Sequence, residues 1–437
     1  MNHFAAIEGA DFLAPTDIAD IQKQRWHAQA GYVSVNSQFY RQMLGGRSLS
    51  GNLTEFPDLP FTDKEMIRAD QRENPPFGSY LAADCGTVSR VHRTSGTSGV
   101  AMNLALSAAD AVMTAKVGAR AQTAAGLGPG HRVVHCLNYQ LWMGGYTDHA
   151  TLEETGATVI PYGVGGTEGL IRVIRDLGVT AISCTPSYPA VLQQVLANRF
   201  PDLKPRDLGL KLALFGGEPG LDEPAFRQRL EDTWGFAARN ANYGVSDVLC
   251  NFAGQSEFTN DLHFVAQDVL YPELIDPRTG KVKPWRDGES GELVVTHLAK
   301  QCQPLVRFRT GDIIELTGTG LAQCGRSAPR FRVVGRSDDM VVVRGLNVFP
   351  AMLAGIVSAF AELSNEYRIT LDQAPPYELL PLEVELVPGV VAGSLLAQAV
   401  ESRIKSDIGV TAKVSVLAPG ELPRTEGKTR RVIRTYQ

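Results

Sequence analysis

The sequence predicts an α/β fold: a large N-terminal domain built on a doubly wound parallel sheet with a small β unit, then a small α+β C-terminal domain. Three observations predict it. Strand-length apolar runs alternate with helical segments between residues 107 and 234, the signature of a parallel sheet wrapped on both faces. From about 260 to 336 the pattern becomes strand-like pieces between Asp-Pro, Thr-Gly and Asp-Gly turns, which suits a small antiparallel unit. From 337 onward strands and helices resume over a stretch of ordinary domain size. The 437 residues exceed what one core supports, so the expected division is 1–336 and 337–437.

The elements follow in order. Residues 11–70 read as helical and partly amphipathic, and Pro57, Pro60, Pro75 and Pro76 punctuate an irregular approach to a Ser/Gly loop. Ser107 with Asp110 three positions on is a capping-box start for a helix to about Ala125. Strands are expected at 132–137, 157–160, 179–184 and 211–215. Helices are expected at 148–155, 167–177, 189–198 and 223–234. In the C-terminal part the order is strand (341–344), helix (350–362), strands (367–371 and 382–387), helix (394–408) and strand (413–417). Leu395, Leu396, Ala399, Val400 and Ile404 share one face of the last helix.

Composition narrows the classes. The chain is 44% hydrophobic and 20% charged with a net charge of −5, an ordinary globular balance without the basic field that would attract nucleic acid or anionic membrane. No run approaches membrane-span length, and the start lacks the basic and apolar regions of a secretory signal. The six cysteines are scattered without a Cys-x-x-Cys pair, which suits a reducing, cytoplasmic location.

Residues Thr94, Ser95, Gly96, Thr97, Ser98 and Gly99 form a run of small residues, four of them hydroxylic. Glycine tolerates positive φ, so such a loop can aim successive N–H groups into one concavity around a polyphosphate. The alternative is a plain surface turn. The lysine-bearing Walker spacing is absent. Downstream, Tyr243-Gly244-Val245-Ser246-Asp247 sets a carboxylate beside a tight turn, suited to Mg²⁺ sharing phosphate oxygens or to a solvated turn. Asp312 ends Arg307-Phe308-Arg309-Thr310-Gly311-Asp312, and a carboxylate there accepts ribose hydroxyls or caps its own turn. Gly335-Arg336-Ser337-Asp338-Asp339-Met340 lies at the expected domain junction. Leu422-Pro423-Arg424-Thr425-Glu426-Gly427-Lys428 carries a lysine near the C-terminus, where basic residues are commonly a solvated face.

Together these segments resemble the adenylate-forming superfamily of acyl-CoA synthetases, and more narrowly its phenylacetate–CoA ligase branch. Further marks of that branch are Gln24-Arg25-Trp26, Leu59-Pro60-Phe61-Thr62-Asp63-Lys64, Gly217-Glu218-Pro219, Tyr271-Pro272-Glu273-Leu274-Ile275-Asp276-Pro277 and Arg344-Gly345-Leu346-Asn347-Val348-Phe349-Pro350. The resemblance spans about residues 17 to 434. It implies ATP-dependent formation of an acyl-adenylate from an aromatic carboxylic acid, then transfer to CoA, with a mobile C-terminal domain. The loop at 94–99 would hold the ATP phosphates, and Gly217, Glu218 and Pro219 would lie along the adenine. Tyr243 belongs to the same nucleotide site. Asp247, where the family usually has Glu, would help hold Mg²⁺. Asp312 would bind ribose, Arg336 would touch the nucleotide, and Asp338 would be the hinge. Lys428 would reach the carboxylate attacking the α-phosphate, where a cation stabilises developing charge.

The acid pocket implied by the resemblance is lined by Tyr139, Trp142, Gly144 and Gly145, joined by Gly216 and Ala241; rings beside glycines suit a flat aromatic acid. Val100-Ala101 replaces the Lys-Pro that usually follows the loop, removing one charge near the phosphates. Some relatives bind zinc; Cys250, His263, Cys302 and Cys324 could in principle gather, but their spacings do not match a usual zinc pattern. Two alternatives stay open: adenylation with a non-CoA acceptor, a carrier protein or a reductase, in secondary metabolism such as phenazine antibiotic biosynthesis, and a nucleotide-binding protein with little catalysis. A homodimer is carried as an expectation of assembly.

Overall fold

The computed structural model describes residues 3–94, 101–218, 220–344, 346–391, 393, 395–423 and 431–436. The elements run α1 (Pro15–Asn36), α2 (Gln38–Met43), α3 (Lys64–Glu73), β1 (Val88–Arg93), β2 (Asn103–Ser107), α4 (Ala108–Ala124), β3 (Arg132–His135), α5 (Met143–Glu153), β4 (Thr158–Pro161), α6 (Thr167–Asp176), β5 (Ala181–Cys184), α7 (Tyr188–Arg199), β6 (Leu212–Gly216) and α8 (Pro224–Trp234). They continue with β7 (Ala237–Val245), β8 (Leu249–Ser256), β9 (Thr259–Phe264), β10 (Leu270–Ile275), β11 (Val282–Lys283), β12 (Ser290–His297), β13 (Phe308–Gly318), β14 (Arg330–Arg336), β15 (Val341–Val343) and β16 (Leu346–Val348). The last are α9 (Pro350–Ser358), β17 (Leu363–Leu371), β18 (Leu380–Leu386), α10 (Leu396–Ile408), β19 (Ala412–Leu417) and β20 (Val432–Arg434).

Two compact units form. The first comprises 1–217, 230–310 and 314–332; the second comprises 218–229, 311–313 and 333–437. In the large sheet β4, β3, β5, β6 and β7 are parallel neighbours in that order. The antiparallel strands from β8 onward extend the same twelve-stranded sheet. Strands β3, β5 and β6 are almost wholly buried, as expected where helices cover both faces. Ser107 and Asp110 make the reciprocal capping box that starts α4.

Several sequence motifs serve architecture in the first unit. Arg25 donates to the carbonyls of Asp268 (3.0 Å) and Ala5 (2.6 Å), and Trp26 Nε1 donates to Glu55 (2.9 Å). Tyr271 stacks on Phe56 at 4.8 Å. Arg307 is buried, holds Glu273 through two nitrogens (2.9 and 3.1 Å) and lies 4.0 Å over the Phe61 ring. Burial raises the Glu273 pKa, and Arg307 opposes that rise. Such a pair is costly to break, because either partner alone is a buried charge.

The second unit has its own core of Val341, Val348, Leu353, Val357, Ile369, Leu382, Val384, Val400 and Ile404. Here β17, β18, β19 and β20 form one sheet in the order β19-β18-β17-β20. The helix expected over 350–362 stops at Ser358, because the chain must turn before β17 begins at Leu363. Strands β16 and β20 were not anticipated; each is three residues long, too short to carry an alternating pattern.

Candidate active site

Strand β3 has β4 on one side and β5 on the other, which makes the β3–β5 boundary a topological switch point. Ligands of open parallel sheets bind beyond the carboxyl ends at such a point. The predicted pocket residues collect there. Tyr139 follows β3, Trp142 is the N-cap residue of α5, and Gly144 lies in its first turn, so this helix starts five residues earlier than the 148–155 expected. Early glycines hid that start. Gly145 is required, since a Cβ there would lie 2.2 Å from the Asn138 carbonyl oxygen.

His135 pins this turn. Its Nε2 lies 3.1 Å from the carbonyls of Gly144 and Gly145, and its Nδ1 lies 3.1 Å from Ser183 Oγ. Burial pushes the imidazole down to about 4, so near neutral pH the ring is uncharged; Nε2–H donates to the carbonyls and Nδ1 accepts. Tyr139 is fixed by its hydroxyl, 2.9 Å from His149 Nδ1, and His149 Nε2 lies 3.1 Å from Glu153.

On the other wall, the β6–β7 register slips by one residue: Phe215 pairs with Asn240 but Gly216 pairs with Asn242. Ala241 is the extra, fully buried residue of this bulge, and its carbonyl accepts from Asn251 Nδ2 at 2.9 Å. Bulges of this kind re-aim side chains beside functional sites. Here the slip sets Asn242 against Gly216, where a glycine Cβ would approach Asn242 Cβ to 2.6 Å.

The candidate phosphate side is built on the β1–β2 hairpin. Thr94 N donates to the Met102 carbonyl and Met102 N donates to Thr94 Oγ1, both at 3.0 Å, closing the base of the connecting loop. The predicted residues Ser95, Gly96, Thr97, Ser98 and Gly99 lie outside the described residues, as do Pro219 and Lys428. Helix α3 clamps the hairpin: Asn103 N donates to Gln71 Oε1 (2.7 Å) and Gln71 Nε2 donates back to the Asn103 carbonyl (2.9 Å). Asp63 caps α3 by accepting from Met66 N. The next residue, Lys64, places Nζ 2.9 Å from Asp247 Oδ2.

Asp247 is buried, and its Oδ1 has no hydrogen-bond partner among the described residues. An orphaned carboxylate oxygen beside one cation is a donor set that fits a small divalent ion sharing phosphate oxygens. Buried Lys300 lies on the same side; burial lowers its pKa, while Asp110, Cys302 and Asp247 act the other way. Gly244 is obligatory, because a Cβ would lie 1.9 Å from the Cys250 carbonyl oxygen. The Tyr243 ring packs edge-on against Phe252 and Phe331, at 5.2 and 5.3 Å.

In the second unit Asp312, Arg336 and Asp338 come together: Arg336 Nη1 to Asp312 Oδ1 and Nε to Asp338 Oδ1 are both 2.8 Å. Burial works against the Arg336 charge, but Asp312, Asp338 and Asp339 outweigh it and raise the pKa. Gly217 follows β6 with a left-handed φ of 82°. The four zinc candidates do not gather at one point, and two of them, Cys324 and His263, pair with each other. Cys250 donates to Asp148, Cys324 Sγ lies 3.8 Å from His263 Nε2, and Cys302 N donates to Asp110. Among the described residues no group of three or more His, Cys, Asp or Glu is placed to hold a metal.

Sequence reasoning gave no role to three polar residues here. Lys64 carried a signal in its position directly after a helix N-cap. Asp148 had one in lying on the buried face of α5 with Thr147, Thr151 and Leu152. Asn242 had none, since only the bulge brings it to the pocket.

Residues 345–435 match the family model described as the AMP-binding enzyme C-terminal domain. The chain is 33% identical to a phenylacetate-coenzyme A ligase of Thermus thermophilus, covering 94% of this chain and 95% of that one. It is 35% identical to the Pseudomonas putida enzyme of the same name, over 93% and 91%.

The chain belongs to the phenylacetate–CoA ligase family.

Among solved structures, this ligase family member superposes with a TM-score of 0.86 on 2-hydroxyisobutyryl-CoA ligase in the postadenylation state, bound to R3-HIB-AMP. Identity there is 26%, covering 99% of this chain and 94% of the other. The ligase is thus an acid–thiol ligase of the adenylate-forming superfamily. No helix among its described residues is long and apolar enough to cross a membrane.

Proposed function

We propose that the ligase activates an aromatic carboxylic acid with ATP to an acyl-adenylate and transfers the acyl group to CoA. The observation that carries this reading is identity of about a third, along nearly the whole chain, with enzymes named phenylacetate-coenzyme A ligase. The acid sits between the Tyr139–Gly144 turn and the Gly216–Asn242 wall. The Ser/Gly loop above Thr94 takes the ATP phosphates. Asp312 takes the ribose hydroxyls, with Arg336 beside it and Asp338 as the hinge. Gly217, Glu218 and Pro219 line the adenine.

In the first step a carboxylate oxygen attacks the α-phosphorus and pyrophosphate leaves. Lys428 neutralises charge that builds during this attack. Asp247 would hold Mg²⁺ through Oδ1, and that ion would supply charge neutralisation at the phosphates. Lys64 keeps the other oxygen of Asp247 occupied, which aims Oδ1. In the second step the CoA thiol loses its proton and attacks the acyl carbon, and AMP leaves. Moving the second unit between steps lets one cleft serve both reactions and keeps water from the mixed anhydride. The residues 337–437 form the moving part in this reading.

The test is a mass-spectrometric assay with ATP, Mg²⁺ and a panel of aromatic acids, without and then with CoA. Acyl-AMP without CoA, converted to a thioester on its addition, is the expected result. Acyl-AMP that CoA never consumes would assign another acceptor, and folded protein that forms neither product would overturn the reading.

A further inference from the structure

Asp148 is fully buried on α5, where no cation among the described residues meets its carboxyl. Its partners are both neutral: Asn242 Nδ2 donates to Oδ2, and the Cys250 thiol donates to Oδ1. Burial, together with Asp148 itself, holds the Cys250 pKa well above the ordinary thiol value, so the thiol keeps its proton. Two glycines of the acid pocket flank this pair. A Cβ on Gly144 would lie 3.4 Å from Asp148 Oδ2, and one on Gly216 would meet Asn242 Cβ.

A primary amide is planar and has one donor end and one acceptor end. Asp148 takes the donor end of Asn242. The acceptor end, Oδ1, is left over; Asn242 is partly exposed, and no donor reaches that oxygen among the described residues. The bulge at Ala241 brings Asn242 to this wall, and Asp148 fixes which end faces outward. A wall that offers a fixed hydrogen-bond acceptor favours a ligand with a donor there and leaves an oxygen unpaired against a bare hydrocarbon.

We infer that Asn242, oriented by Asp148, sets the specificity of the acid pocket and selects an aromatic acid carrying a hydroxyl or N–H group. Asn242 touches the substrate; Asp148 is a positioning residue. The inference rests on the acid-pocket assignment proposed above.

The experiment uses matched acids, hydroxy- and amino-substituted phenylacetates and benzoates against their unsubstituted parents. Pyrophosphate exchange and calorimetric binding are measured on the full-length protein. The expected wild-type result is a preference of roughly tenfold for the best donor-bearing acid, expressed in KM. Asn242→Leu abolishes or inverts that preference. Asp148→Ala raises KM for donor-bearing acids with kcat kept, and Asp148→Asn, which retains a carbonyl acceptor for Asn242, restores it. A loss confined to folding would move kcat and KM for every acid alike.

A ratio unchanged by Asn242→Leu, in exchange or in binding, overturns the inference and leaves the adenylation reading standing. A donor preference in binding that Asn242→Leu removes, with no adenylation by the wild type, supports the inference and overturns the adenylation reading. A wild type that neither binds nor activates any acid overturns both.

Discussion

Asp247 and Asp148 are both buried acids in the same unit, and their surroundings differ in one respect. Asp247 has a cation, the Lys64 ammonium at 2.9 Å, and one oxygen left unsatisfied. Asp148 has, among the described residues, only neutral donors, with both oxygens occupied, and burial pushes its pKa up to about 7. The unsatisfied oxygen is the one that the proposed Mg²⁺ would meet, against the repulsion of the Lys64 ammonium. A satisfied carboxyl of raised pKa is instead a fixed polar wall. In the proposed reading one residue type would thus serve an ion on the phosphate side and an orienting group on the acid side.

The sharpest way to break this comparison is the pH dependence of stability. Asp148 has a folded pKa raised from 3.8 to about 7, so between those values the folded state binds more protons than the unfolded. Stability is therefore lost as pH rises through that window and stays low above it. Asp148→Asn lacks the titration. Relative to wild type, its stability in urea melts should be equal near pH 4 and greater by up to roughly 4 kcal/mol at pH 8. A constant difference across pH would show that Asp148 meets a cation after all.

Lys428→Ala comes next. Removal of one oriented charge stabiliser costs about 10²-fold or more in adenylation rate, and an unchanged rate of pyrophosphate exchange would remove Lys428 from the chemistry. Asp247→Asn keeps the volume but weakens the ion site. Adenylation should fall roughly tenfold to a hundredfold, with partial recovery at high Mg²⁺. The smallest effect is expected of Lys64→Met. It leaves the Asp247 carboxylate buried and unpaired, at about 1–2 kcal/mol because Lys64 is itself partly exposed. The double variant Lys64→Met/Asp247→Asn should regain most of that loss in a thermodynamic cycle.

Much of the fold was legible because the signals were local. Alternating apolar strands and capped helices between 107 and 234 place β3, β5 and β6 to within two residues, and the Ser107–Asp110 box appears as read. The start of α5 was not legible, since Gly144 and Gly145 are poor helix formers that tertiary contacts with His135 hold in place. Of the candidate site, the structure brings together Asp312, Arg336 and Asp338, which two separate motifs supplied, and their roles toward a nucleotide stay part of the proposal. The site was not legible where the geometry depends on register. Nothing in Asn240-Ala241-Asn242 announces a bulge, and nothing local ties Asp148 to a residue 94 positions away. Lys64 likewise meets Asp247 across 183 positions.

The division of labour between the two aspartates is tested most directly by steady-state kinetics of both variants with ATP and acid varied in turn. Asp247→Asn should alter the ATP and Mg²⁺ dependence while leaving the KM for the acid unchanged, and Asp148→Ala should do the reverse. Variants that shift both substrates alike, or that exchange these effects, would contradict the account.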